Sequence, residues 1–186
     1  MNNMSERYNA NPNSQEGADK AHCARYYLAR GFIESKDYVI DAACGTGYGS
    51  AILAKVAKAV LAIDKNEVFN NQWKNDKILF LPIDLENPIG VPECDVWVCL
   101  ETIEHLKDPE KFIELVTQKT KKRIIISSPN KPTANINPFH KSDVVLNRLR
   151  KIMSKHTDWF EYHSFLQGEY YIIIYDRKKN ENNLNR

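Results

Sequence analysis

At 186 residues the chain is long enough for one domain with a genuine core and short of a second full one. Its 26 Lys and Arg against 24 Asp and Glu leave a formal net charge of +2, which makes no bulk electrostatic case for nucleic acid or a membrane surface. No apolar run approaches the roughly 20 residues that span a bilayer, and the polar start MNNMSERYNANPNSQEG lacks a signal-peptide core, so a cytoplasmic protein is expected. Cys23, Cys44, Cys94 and Cys99 form neither a CxxC pair nor a zinc-type spacing and read as buried free thiols.

In chain order, residues 1–17 are rich in Asn and Ser and read as a flexible arm or lid before a folded domain over 18–176. Apolar spacing predicts a helix over 19–29, with Gly31 as its stop. An alternation follows. Strands are expected at 38–42, 60–63, 78–83, 95–100 and 123–127, with helices over 49–59, 68–73, 109–117 and 142–154 between and after them. Two aromatic-rich runs, 159–165 and 170–175, flank Gln167-Gly168 and read as an antiparallel hairpin, and the polar residues 177–186 read as a disordered tail. This pattern predicts an α/β fold: a Rossmann-like, doubly wound, mostly parallel seven-stranded sheet closed by a C-terminal antiparallel hairpin. Ligands of such sheets sit at the carboxyl ends of the strands, where the strand order reverses.

The segment VIDAACGTGYGS, residues 39–50, is the strongest chemical signal. An apolar strand ends in Asp41, and a turn with Gly45, Gly47 and Gly49 opens a helix, so bare backbone can approach a ligand. A phosphate-binding loop would carry GxGxxG or a GKS ending, and neither is present. The acid at the turn would repel a pyrophosphate and suits a cationic ligand. The next strand ends in Asp64, placed to accept both hydroxyls of a ribose. The third ends in Asp84, placed to accept from an adenine amino group, and the fourth ends in Glu101, near a ligand's reactive end.

These residues resemble the class I, seven-stranded S-adenosylmethionine-dependent methyltransferases. VIDAACGTG resembles the family's glycine-rich first motif, ETIEHLKDP its EVIEHLxDP segment, and SPN followed by NPFH a subgroup linked with glycan chemistry. The resemblance implies S-adenosylmethionine as cofactor, with Asp41, Ala43, Gly45 and Gly47 lining its methionine end. Asp64 then matches the ribose position, and Asp84 and Leu85 the adenine contact. Ala43 departs from the usual first glycine, a small replacement that stiffens the loop slightly, and the helix after the second strand is brief.

The implied reaction is O-methylation of a small molecule or sugar. No Asn/Asp-Pro-Pro-aromatic turn follows the fourth strand, where Leu100-Glu101-Thr102-Ile103 stands, which argues against nucleobase methylation. A hydroxyl acceptor must lose a proton, and His140 in the loop NINPFHKSD, with Glu101, is the expected base. Glu101, Glu104, His105 and His140 also resemble the divalent-metal site of small-RNA terminal 2′-O-methyltransferases. ExxEH recurs in metal-free relatives, so no metal is assigned. A metal-assisted RNA terminal enzyme, and a non-catalytic S-adenosylmethionine-binding partner subunit, stand as alternatives. The short chain leaves room for a homodimer mate or partner subunit over the acceptor.

Overall fold

The computed structural model describes residues 17–66 and 68–179. Most of the expected arm and tail therefore lies outside the described residues. One seven-stranded sheet runs in the order β3-β2-β1-β4-β5-β7-β6. Its strands are β1 (Tyr38–Ala42), β2 (Ala59–Asp64), β3 (Ile78–Pro82), β4 (Cys94–Leu100), β5 (Thr120–Pro129), β6 (Trp159–Gln167) and β7 (Tyr170–Arg177). The strands β1 to β5 pair in parallel, while β7 runs antiparallel between β5 and β6. The order reverses between β1 and β4, so a crevice opens beyond their carboxyl ends.

Strand periodicity sorts the core onto two faces. Ile40, Trp97, Cys99, Ile124 and Ile126 pack with α3 (Pro109–Lys119) and α4 (Leu146–Met153). Val39, Ala62, Val96, Val98 and Ile125 pack with α1 (Gly17–Arg30) and α2 (Tyr48–Ala54). Burying each such side chain contributes about 1.5–3 kcal/mol, so the central strands anchor everything their ends carry. All four cysteines are free and buried. Among the described residues no helix is long and apolar enough to cross a membrane.

Three helices are shorter than their patterns suggest. α2 stops at Ala54 because Val56 and Ala57 both donate to the Leu53 carbonyl, and Lys58, at the head of β2, already donates to the Asp37 carbonyl beside β1. The run expected over 68–73 forms only a 3-10 turn, Asn71–Trp73, where the Asn70 side chain accepts from Gln72 N–H. Asparagine side chains compete there with the helical backbone bonds. α4 begins at Leu146 rather than near 142, since Lys141 and Ser142 spend their N–H groups on the Glu104 carbonyl. That tertiary bond ties the loop after β5 to the turn after β4.

Candidate functional site

The turns beyond β1 to β5, one face of α1 and the β6–β7 turn surround a cleft of about 1080 Å³. Small-molecule sites span roughly 300–1,000 Å³, so this one has room for a nucleoside-sized ligand and a second molecule.

Beyond β1, Ala43 (φ 57°), Gly45 (φ 55°) and Gly47 (φ 92°) all take the left-handed conformation. A Cβ added at Gly45 would meet nothing within 4 Å, so the turn presents bare backbone to the cleft. At Gly47 the same atom would lie 2.3 Å from the Phe69 ring. Ala43 holds its positive φ against a cost of roughly 1–2 kcal/mol, a larger departure than slight stiffening. Asp64 staples the turn from β2: one carboxylate oxygen accepts from Gly45 N–H (3.1 Å), the other from Asn66 N–H (3.0 Å).

Asp41 is placed otherwise than its motif implied. Fully buried, it accepts from Ser50 Oγ–H (2.6 Å) and Tyr26 O–H (3.2 Å) beneath the turn and does not line the cleft. Strand alternation turns its side chain inward, and burial pushes its carboxyl up to about 7 despite both hydrogen bonds. The Tyr26 ring lies where a Cβ at residue 49 would sit, 2.0 Å away, which is why Gly49 is needed. Gly47 likewise supports the turn from behind rather than lining the cleft.

Asp84 stands exposed at the cleft, accepting from Glu86 N–H (3.0 Å), with Leu85 buried beside it. Glu101, beyond β4, is held at φ 51°, a strained backbone for a non-glycine residue. Its N–H donates to Ser127 Oγ (3.0 Å), and its carboxylate accepts from the Ser127 hydroxyl (2.6 Å). Arg25 Nε lies 3.4 Å from the same oxygen.

The segments after β4 and β5 carry the imidazoles. His105 Nδ1 bonds the Phe139 carbonyl (3.1 Å), His140 Nδ1 bonds Thr133 Oγ1 (2.6 Å), and the two rings meet edge-to-face at 4.8 Å. Asp143 steadies this loop by accepting from Thr133 N–H (2.6 Å) and Ala134 N–H (2.8 Å), bonds that lower its pKa. Buried Glu104 joins the pair: Glu104, His105 and His140 each offer a potential ligand atom within 4.8 Å of the others. Glu101 is not in that group, so three of the four residues in the metal-like set come together.

Ala43, Gly45, Asp64, Asp84, Leu85, Glu101 and His140 thus line one cleft, while Asp41 and Gly47 stand behind it. Sequence reasoning missed Arg25, Ser127, Thr133 and Tyr170. Arg25 was within reach, because His22, Arg25 and Tyr26 share one helix face at i, i+3 and i+4.

Residues 40–125 match the methyltransferase domain family. A probable S-adenosylmethionine-dependent methyltransferase of Mycobacterium tuberculosis is 29% identical over 126 residues, covering 62% of this chain and 46% of the relative. The aligned part therefore spans less than half of that relative's length. The Bacillus YcgJ protein superposes with a TM-score of 0.71 at 12% identity, covering 86% of this chain and 100% of the other. The N-methyltransferase NodS from Bradyrhizobium japonicum, solved with S-adenosylhomocysteine, gives a TM-score of 0.67 at 13% identity over 86% and 85% of the two chains. The lining is compatible with that cofactor: an open backbone cradle at Gly45 and acids at the end of β2 and just beyond β3. Residues 40–125 thus match a methyltransferase domain, and the chain has the Rossmann-like fold of these solved structures.

Proposed function

We propose that the chain methylates a hydroxyl of a small molecule or glycan. The observation that carries this reading is His140, held by Thr133 in the same cleft that the glycine-rich turn lines. When bound, the cofactor supplies an electrophilic methyl group on a sulfonium. Ala43 and Gly45 would line its methionine end, Asp64 would hold the ribose, Asp84 and Leu85 would receive the adenine, and Glu101 would stand by the sulfonium. When Thr133 Oγ1 accepts from Nδ1–H, the Nε2 atom of His140 keeps its lone pair and takes the hydroxyl proton. Lining up acceptor and methyl supplies much of the remaining rate.

The cluster of Glu104, His105 and His140 favours one further reading, in which a divalent cation orients the acceptor hydroxyl, as on a terminal ribose of RNA. Calorimetry with S-adenosylhomocysteine in wild type and Asp64→Ala tests the cofactor site, and micromolar binding weakened by the variant is expected. Folded protein that binds neither cofactor nor product would overturn the proposal. In an acceptor screen, His140→Ala is expected to lower kcat by about 10²–10⁴-fold while leaving product affinity unchanged. Loss of turnover on chelation, with His105→Ala as damaging as His140→Ala, would select the metal reading. Cofactor binding with no turnover on any acceptor would instead indicate a partner subunit.

A further inference from the structure

The sheet ends in β6, and among the described residues no strand pairs with its outer side. Proteins commonly blunt such an edge with lysine, proline or a bulge. β6 (WFEYHSFLQ) holds neither lysine nor proline, and its one acid, Glu161, is engaged by Arg150 (2.8 and 2.7 Å). It does carry a bulge, since its pairing with β7 shifts between Glu161 and His163. That bulge turns Tyr162 and His163 to one side, where they meet the Phe32 ring together with Phe165, at centroid distances of 6.4, 6.0 and 6.2 Å. Beyond it, His163–Gln167 pairs with β7 without a further shift, so most of the edge stays regular. Phe160, Tyr162, His163, Phe165 and Leu166 are all exposed, Leu166 at 68%. Leu166 lies on the other face, the side on which Arg150 holds Glu161 and Ser164. Single exposed apolar residues are ordinary, but a contiguous group along an open edge marks an interaction site.

From this edge we infer that β6 is a homodimer interface: two copies lay their β6 strands side by side, antiparallel about a two-fold axis, and join their sheets. The inference is independent of the cofactor reading. Three features point to a second copy. An antiparallel two-fold pair needs only one strand and its own copy, and β6 already runs antiparallel to β7. The charges at the edge are closed within each copy, Arg123 on Asp176 (2.6 Å in both bonds) and Arg150 on Glu161. Two like faces therefore meet without repulsion from these groups, whereas an acidic partner would find the cations already occupied. The size also fits. Nine residues make an edge about 30 Å long, and layers spaced about 10 Å apart make it about 20–30 Å tall, close to the roughly 800 Å² per partner of a standard interface. The pairing reaches the cleft as well, because β6 ends at Gln167 and the turn after it places Glu169 and Tyr170 in the cleft lining.

Sedimentation equilibrium of the full chain tests this, in wild type, Leu166→Lys, Phe165→Lys and Ile89→Lys. Wild type is expected to form a dimer with a Kd below about 100 μM. Each substitution in β6 brings two like charges into the interface, one from each copy, and is expected to raise that Kd at least about tenfold. Ile89, 76% exposed between β3 and β4, lies outside the edge, and its variant is expected to stay within about threefold of wild type. Phe165 packs on Phe32, so if Phe165→Lys does not fold, the more exposed Leu166→Lys decides alone. Wild type that is monomeric at about 100 μM would reserve the edge for a different partner and overturn the homodimer. A dimer that Leu166→Lys weakens less than about tenfold would place the contact elsewhere and overturn it too. Association that continues past two copies would do the same, since a two-fold pair closes on itself.

Discussion

The part of the cleft built by β1, β2 and β3 takes its lining from residues at strand ends, whereas the rest collects Arg25, Glu104, His140 and Tyr170 from four separate segments. The first wall works largely through backbone: positive-φ turns, with Asp64 stapling its own neighbourhood. The second works through side chains aimed by distant partners, such as His105 held by Phe139 and the Glu104 carbonyl bonded by Lys141 and Ser142. A backbone wall can serve one constant cofactor, while a side-chain wall can be re-aimed for different acceptors without disturbing the sheet.

The largest effect that would break this contrast lies in the first wall. Gly47→Ala forces both a strained φ and a collision with Phe69, and is expected to cost about 2–4 kcal/mol in denaturant unfolding. Gly45→Ala meets no neighbour, so it is expected to cost only about 1 kcal/mol of stability and to damage cofactor binding instead. Equal stability losses at the two glycines would mean that the turn's two sides are not distinct.

Asp41 probes the layer beneath. Its carboxyl titrates at about 7 when folded against 3.8 as an isolated side chain, so the folded state holds the extra proton between those values. Stability should therefore fall as pH rises from 4 to 7 and level off above 7. Asp41→Asn is expected to flatten that slope, with at most about 4 kcal/mol at stake, as read from urea midpoints at pH 5 and pH 8. A slope unchanged in the variant would place the titration elsewhere.

In the second wall the smallest effect is the most specific. Thr133→Val removes the hydrogen bond to His140 Nδ1 and should lower kcat by about tenfold, with product affinity and unfolding midpoint unchanged. A matching loss of product affinity would show that the two walls are not separable.

How much of this was legible in the sequence follows the same division. The strand centres, the glycine turn and the acids Asp64 and Asp84 could be read because each depends on a short run: alternating apolar residues, then a turn residue, then a strand-end carboxylate. Helix ends were read less well. The run 68–73 carries apolar residues at helical spacing, but asparagine side chains offered its backbone local alternatives. The start of α4 was displaced by bonds to Glu104, which no local pattern signals.

The sequence by itself determined the layered α/β architecture, the order of strands and turns, and the strand-end acids that line the cleft, because these rest on periodicity and turn chemistry within about ten residues. Tertiary structure alone decided that Asp41 turns inward, that Glu101 binds Ser127, and that Arg25 enters the cleft beside Tyr170. Those outcomes depend on which faces are buried and which segments meet across the sheet, and side-chain direction follows from packing rather than from spacing along the chain.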